Sequence, residues 1–163
     1  MSFYLLIRGP LGVGKSTVSE RLAKKIGAQH ISIDRILDER GLWEEGRVSE
    51  FLKANEFAGK EARDLLNTGT PVIIDGNFYW ESQIDDLIDR LDFPHYLFTL
   101  KAPLSVCIAR DGRRTPPHGA EAAQEVYTKS TRFTRGVSID ATRSADDVVE
   151  DILSRLPRSG VGR

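Results

Sequence analysis

The stretch "RGPLGVGKST", residues 8–17, follows directly on the apolar run "FYLLI" (3–7). Residues 9–16 match G-x-x-x-x-G-K-[ST], the pattern of a loop that cradles phosphate. Gly9, Gly12 and Gly14 permit positive φ angles, so backbone N–H groups can turn inward with no side chain in the way. A helix beginning near Lys15 adds its unsatisfied N–H groups and the positive end of its dipole, making the loop an anion nest. Lys15 can reach the β- and γ-phosphates as a mobile cation, and the Ser16 hydroxyl can ligate Mg²⁺. Gly9, Pro10, Leu11, Gly12, Val13, Gly14, Lys15, Ser16 and Thr17 are therefore the expected nucleotide-binding residues. Chance produces the pattern in about half a percent of chains of this length. Here it also falls between a strand-like and a helix-like segment, the context it requires.

Outward from the loop the chain alternates. Five short runs rich in β-branched and aromatic residues read as strands: 3–8, 29–33, 71–75, 95–100 and 136–140. Their continuous apolar character suits parallel strands buried on both faces. Helical patterns lie between them. Val18, Leu22 and Ile26 recur every four residues before Gly27, a C-terminal stop. Ile84, Leu87, Ile88 and Leu91 share one face of 81–91. "SADDVVEDILSRL" (144–156) opens with Ser144 and two acids, as a helix start should. In "APLSVCIAR" (102–110), Pro103 fits a first helical turn. The order predicts an α/β fold, a five-stranded parallel sheet with helices on both faces, as a single domain over 1–157. Residues 35–70 are too long for a simple crossover. Their back half, "VSEFLKANEFAGKEARDLLNTG", reads as one helix, and the whole is either a clamp beside the site or a packing elaboration. Within 110–120, "DGRRTPPHG" (111–119) reads as a charged loop with prolines and glycines, and 158–163 as a frayed basic tail.

The 163 residues carry a net charge of −1, with 40% apolar and 29% charged residues. No overall basic field advertises nucleic acid. The single cysteine, Cys107, excludes an internal disulfide and fits a reducing compartment. His30, His95 and His118 lack the spacing of a local zinc site. No apolar run approaches the roughly 20 residues that cross a bilayer. The N-terminal run is too short for a signal peptide and flows into the glycine loop, so a cytoplasmic protein is expected.

The loop specifies a nucleoside triphosphate, and other motifs narrow its use. No N-K-x-D stretch is present to read guanine, and "DERG" (38–41) follows a helical segment rather than a strand. Ring-forming ATPases need a larger core and a further helical domain. A small phosphotransferase remains. Asp34 and Asp75 close the second and third strand-like runs and should project at the carboxyl edge of the sheet, where ligands of such folds bind. A carboxylate at Asp34 can take the proton of an acceptor hydroxyl; alternatively Asp34 caps the helix "RILDER". Asp75 closes "VIID", a Walker B pattern. Asn77 is either a polar contact or part of an Asp-Gly-Asn turn.

"YLLIRGPLGVGKSTVSERLAKKIGAQHISID" (4–34), "PVIIDGNF" (71–78) and "APLSVCIARDGRR" (102–114), in this order and spacing, resemble the small P-loop kinases. That group includes the shikimate, gluconate and polynucleotide kinases and chloramphenicol phosphotransferase. The resemblance implies a three-layer P-loop NTPase fold with ATP and Mg²⁺ as cofactors. It implies that Asp34 orients or deprotonates the acceptor hydroxyl, and that Asp75 holds Mg²⁺ with Ser16 or else contacts the acceptor. It places Arg110, Arg113 and Arg114 on a lid that closes over ATP, with Arg110 and Arg114 favoured as catalytic. The "DATRS" loop (140–144) would frame adenine, with Asp140 and Arg143 as candidates. Arg35 and Arg40 would grip an anionic acceptor. Trp43, Phe57, Phe78, Tyr79 and Trp80 either line its apolar wall or simply pack. The expected reaction moves the γ-phosphate of ATP to a hydroxyl of a small molecule. A nucleoside, nucleotide or 5′-hydroxyl polynucleotide end is the second acceptor class, and a polynucleotide would require a basic groove. An ATP-binding regulator that transfers no phosphate, and a hydrolase, are the rivals from other classes.

Overall fold

The computed structural model describes residues 2–42 and 45–157. The expected tail, 158–163, and Trp43 lie outside them. The elements run β1 (Tyr4–Arg8), α1 (Lys15–Ile26), β2 (Gln29–Ser32), α2 (Ile33–Glu39), α3 (Val48–Asn67), β3 (Val72–Gly76), α4 (Glu81–Arg90), β4 (His95–Lys101), α5 (Leu104–Asp111), α6 (Ala120–Ser130), β5 (Val137–Asp140) and α7 (Ala145–Ser154).

All five strands are parallel, in the order β2-β3-β1-β4-β5. The expected α/β architecture is thus the observed one. Central β1 is buried along its whole length, because its alternate side chains feed two different cores. Leu5 and Ile7 pack under α1 and α7, while Tyr4 and Leu6 pack under α3 and α4. Parallel register brings the carboxyl ends of β1, β3 and β2 level, with Arg8 opposite Gly76 and Asp75 opposite Ser32. The phosphate loop, the β2–α2 junction and Asn77 therefore meet at one edge.

Three local expectations change. Strand β2 stops at Ser32, whose hydroxyl accepts from the Arg35 amide and caps α2. Asp34 is therefore neither a strand end nor a cap; it sits in the first turn of α2. Pro103 occupies the cap position before α5 rather than its first turn. Helix α6 has no counterpart in the sequence reading. Most of 35–70 is core layer: Ala54, Ala58 and Ala62 of α3 are fully buried against the sheet side. Among the described residues no helix is long and apolar enough to cross a membrane.

The loop is held by contact with α5. Gly12 has φ +82°, and a Cβ there would lie 2.2 Å from the Cys107 carbonyl oxygen. Neither the backbone conformation nor the space admits a side chain. Gly12→Ala should destabilise the fold by at least about 2 kcal/mol. Thermal melting checks this; an unchanged Tm would show that the loop does not need its contact with α5.

Candidate active site

Gly14, at φ +106°, is the N-terminal cap of α1 and supplies no side-chain bond. The first turn of α1 contains no acid. Its amides and positive dipole end are left for an external anion. Lys15 opens the helix and is buried; its Nζ donates to the Pro10 carbonyl at 3.1 Å and to Asn77 Oδ1 at 3.0 Å. Burial lowers its pKa from the ordinary lysine value, opposed by the charges of Asp34 and Asp75.

Two cavities flank the loop and share Gly12, Gly14 and Arg114 in their linings. One, about 410 Å³, lies among Gly12, Gly14, Thr17, the arginines Arg110, Arg113 and Arg114, and Arg143 and Ser144 of the β5–α7 loop. The other, about 530 Å³, is lined by Lys15, Ser16, Asp34, Arg35, Asp38, Asn77, His118, and Ala122 and Val126 of α6. Arg114 lines both, whereas Arg113 lines only the first. Two larger cavities, about 820 Å³ beside β4, β5 and α6 and about 910 Å³ between α2 and α3, contain neither Lys15, Asp34 nor any of these arginines.

Asp34 is the chemically loaded group of the second cavity. Its Oδ1 is buried and has no hydrogen-bond partner. Burial pushes its pKa up to about 6, with Asp75 and Asp38 adding to the rise and Lys15 and the Asn77 amide opposing it. A carboxylate so placed is ionised at neutral pH yet close to accepting a proton. Asp75 is buried at the end of β3, with Oδ2 2.8 Å from His30 Nε2. Its other oxygen has no hydrogen-bond partner among the described residues.

The sequence reading left His30 without a role. Alternation on β2 was the available signal, since it puts His30 on the same face as Ser32, beside β3. Asn77 is more than a turn residue. Besides meeting Lys15, its Nδ2 donates to the Tyr79 hydroxyl at 3.1 Å.

Bonds to Asp111 tie the two ends of the 111–119 loop together. Buried Asp111 accepts from the amides of His118 (3.3 Å) and Gly119 (2.9 Å), with His118 Nδ1 2.9 Å from Asp111 Oδ1. Arg114 Nη1 lies 3.2 Å from the same His118 nitrogen. Arg110 donates to the Val13 carbonyl at 2.9 Å and the Arg143 carbonyl at 3.3 Å, tying the phosphate loop to the β5–α7 loop. Arg143 in turn donates to the Asp140 carbonyl and pairs with Asp151 at 2.7 Å.

The outer candidates divide. Arg35 joins the second cavity, but Arg40 stacks 3.5 Å over Phe57 in the α2–α3 groove, away from it. Tyr79 and Trp80 pack edge-on with Phe51. Phe57, Phe78, Tyr79 and Trp80 are absent from the lining of the second cavity. They pack, as the blander reading had it.

The residues present suit Mg²⁺, which is held through a hydroxyl, one or two carboxylates, water and substrate phosphates rather than by a protein cage. Exposed Ser16 and the unpartnered oxygen of Asp75 supply that donor set, and no denser cluster of potential metal ligands occurs among the described residues.

A family model described as "AAA domain" matches residues 5–135. Adenylate kinase of Mycoplasmopsis pulmonis is 28% identical, over 93% of this chain and 78% of that protein. Shikimate kinase of Leptospira borgpetersenii serovar Hardjo-bovis is 29% identical, over 91% of this chain and 92% of that protein. The crystal structure of a gluconokinase from Sinorhizobium meliloti 1021 shares the fold with a TM-score of 0.74 at 19% identity, covering 93% of this chain and 89% of that one.

Proposed function

Because the chain belongs to the AAA domain family and is similar to the small P-loop kinases, we propose that it is an ATP-dependent phosphotransferase acting on a hydroxyl of a small-molecule acceptor. One observation carries this reading above all. The buried, unpartnered Asp34 oxygen and the Lys15 ammonium face the same cavity on the acceptor side of the phosphate loop.

The chain's residues divide the work. The loop amides and Lys15 bind the β- and γ-phosphates. Asp34 accepts a hydrogen bond from the acceptor hydroxyl and takes its proton as the oxygen bonds to the γ-phosphorus and the bond to the β–γ bridging oxygen breaks. ADP leaves with that electron pair. Ser16 and Asp75 would hold Mg²⁺, which when bound neutralises charge on the phosphate oxygens. Arg114, which lines both cavities, stabilises the transferring group, while Arg110 and Arg143 shape the nucleotide side. Arg114→Ala should therefore lower kcat by about 10- to 100-fold while weakening ATP binding less than about threefold. Equal losses in both would reduce Arg114 to a binding contact.

A phosphate-bearing acceptor such as a nucleotide is the second reading. Arg35, Arg114 and His118 in the lining of the acceptor cavity favour it. The test is ADP release from ATP·Mg²⁺ in the presence of pools of sugars, hydroxy acids, amino alcohols, nucleosides, nucleotides and 5′-hydroxyl oligonucleotides. Acceleration by one pool establishes transfer and names its class. Tight ATP binding with no acceleration by any pool would favour a regulator, and phosphate release independent of every pool a hydrolase.

A further inference from the structure

Arg8, the last residue of β1, is fully buried and directly precedes the phosphate loop. No carboxylate lies within salt-bridge distance of it among the described residues. An unpaired cation at a core position is costly, and an apolar residue would fill a strand position without that cost. The guanidinium instead makes four bonds. Nη1 donates to Thr99 Oγ1 at 3.3 Å and to the Phe133 carbonyl at 3.2 Å; Nη2 donates to the Phe78 carbonyl at 3.2 Å and the Ser130 carbonyl at 2.7 Å. It also stacks 4.3 Å from the centre of the Phe133 ring. Burial pulls its pKa down only to about 10, so it stays charged at neutral pH.

Thr99 is the ladder neighbour of Arg8 on β4, but Phe78, Ser130 and Phe133 lie outside the strands, on segments that no strand ladder joins to β1. Ser130 ends α6, where a cation meets the negative end of the helix dipole. Ala122 and Val126, earlier on α6, line one wall of the acceptor cavity. Phe78 has φ +49°, a conformation that a non-glycine residue adopts only when its surroundings impose it. It follows Asn77, whose backbone N–H opposes the rise in the Asp34 pKa and whose side chain bonds Lys15.

We infer that Arg8 is a positioning residue for phosphate transfer: its planar fork locks the Asn77–Phe78 corner and the end of α6 to the start of the phosphate loop, and so fixes both walls of the acceptor cavity. The inference rests on reading that cavity as the acceptor site, but its test measures geometry and needs no acceptor.

Arg8→Lys keeps the charge and loses the fork. Phe133→Leu keeps Arg8 and removes the ring on which it rests, and it carries the test if the lysine variant does not fold. Site-resolved amide exchange and a carbon-13 titration of the Asp34 carboxyl are recorded on wild type and both variants. Exchange at 77–79 and 130–133 should accelerate at least about tenfold relative to Leu6 in Arg8→Lys, and less in Phe133→Leu. The Asp34 midpoint should rise by about half a unit or more as the Asn77 amide loosens, since Lys15, Asp75 and Asp38, the charges that face it from α1, β3 and α2, are unchanged. Binding of ATP·Mg²⁺ should stay within about threefold.

A lower Tm with an unmoved Asp34 midpoint and a uniform rise in exchange would overturn the inference, leaving Arg8 a general core residue. If wild type responds to no acceptor pool while these local changes still occur, the acceptor reading fails and the positioning role stands.

Discussion

Lys15→Ala is expected to weaken ATP·Mg²⁺ binding at least about 30-fold. The ammonium is the cation built into the loop, and its present partners, the Pro10 carbonyl and Asn77 Oδ1, are neutral acceptors it can exchange for phosphate oxygens. A charge-assisted bond in a site shielded from water is worth about 1.5–3 kcal/mol, and loss of the full charge adds to that. Unfolding should not confound the result. Burial disfavours the charged lysine, so removing it takes an unfavourable group out of the folded protein. Calorimetric titration with ATP·Mg²⁺, beside a melting curve for each protein, checks both halves. Unchanged affinity would contradict the assignment of the loop.

Asp34→Asn should leave ATP binding within about threefold and reduce transfer by about 10²- to 10⁴-fold, the usual range for loss of a positioned general base. It should also change stability in a direction opposite to its effect on activity. The carboxyl titrates near 3.8 by itself and about 6 in the fold, so the folded state binds its proton more tightly. The stabilisation from that proton is fully present below about pH 4 and is lost as pH rises through 6. At pH 7 and above the ionised group burdens the fold by about 1–3 kcal/mol. Asp34→Asn should therefore raise Tm at pH 7.5 and bring no such gain at pH 4. Wild-type transfer should fall as pH drops below 6, because the base becomes protonated. A variant that loses activity without gaining stability at pH 7.5 would show that Asp34 is not held in a desolvated site.

Legibility in the sequence followed the range of the interactions. The phosphate loop was readable because its chemistry is local: glycines, lysine and hydroxyl act at fixed spacing. The strands were readable because burial on both faces leaves continuous apolar runs such as "FYLLI" and "PVIID". The β2–α2 boundary was misplaced because Ile33 is apolar and β-branched, yet its burial serves a helix that Ser32 caps. Helix α6 escaped because "AEAAQEVYTKS" carries good helix formers but almost no apolar stripe, with Ala123 and Ser130 its buried residues.

Contacts across the sheet were the least visible. The pairing of His30 with Asp75, and of Arg8 with the ends of β3 and α6, joins residues 45 to 125 positions apart. Spacing alone does not separate Arg113 from Arg114, whereas the structure places Arg114 in the lining of both cavities and Arg113 in that of one.

The destination of the γ-phosphorus tests phosphate transfer to a hydroxyl most directly. Wild-type protein, ATP·Mg²⁺ and the pool that accelerates ADP release are followed by phosphorus-31 NMR. The expected product is a phosphate monoester whose resonance is split by the carbinol protons of the acceptor, appearing in step with ADP and absent with Asp34→Asn. A new phosphoanhydride doublet, or inorganic phosphate alone, would contradict it: the first would make the acceptor a phosphate, the second would make the protein a hydrolase.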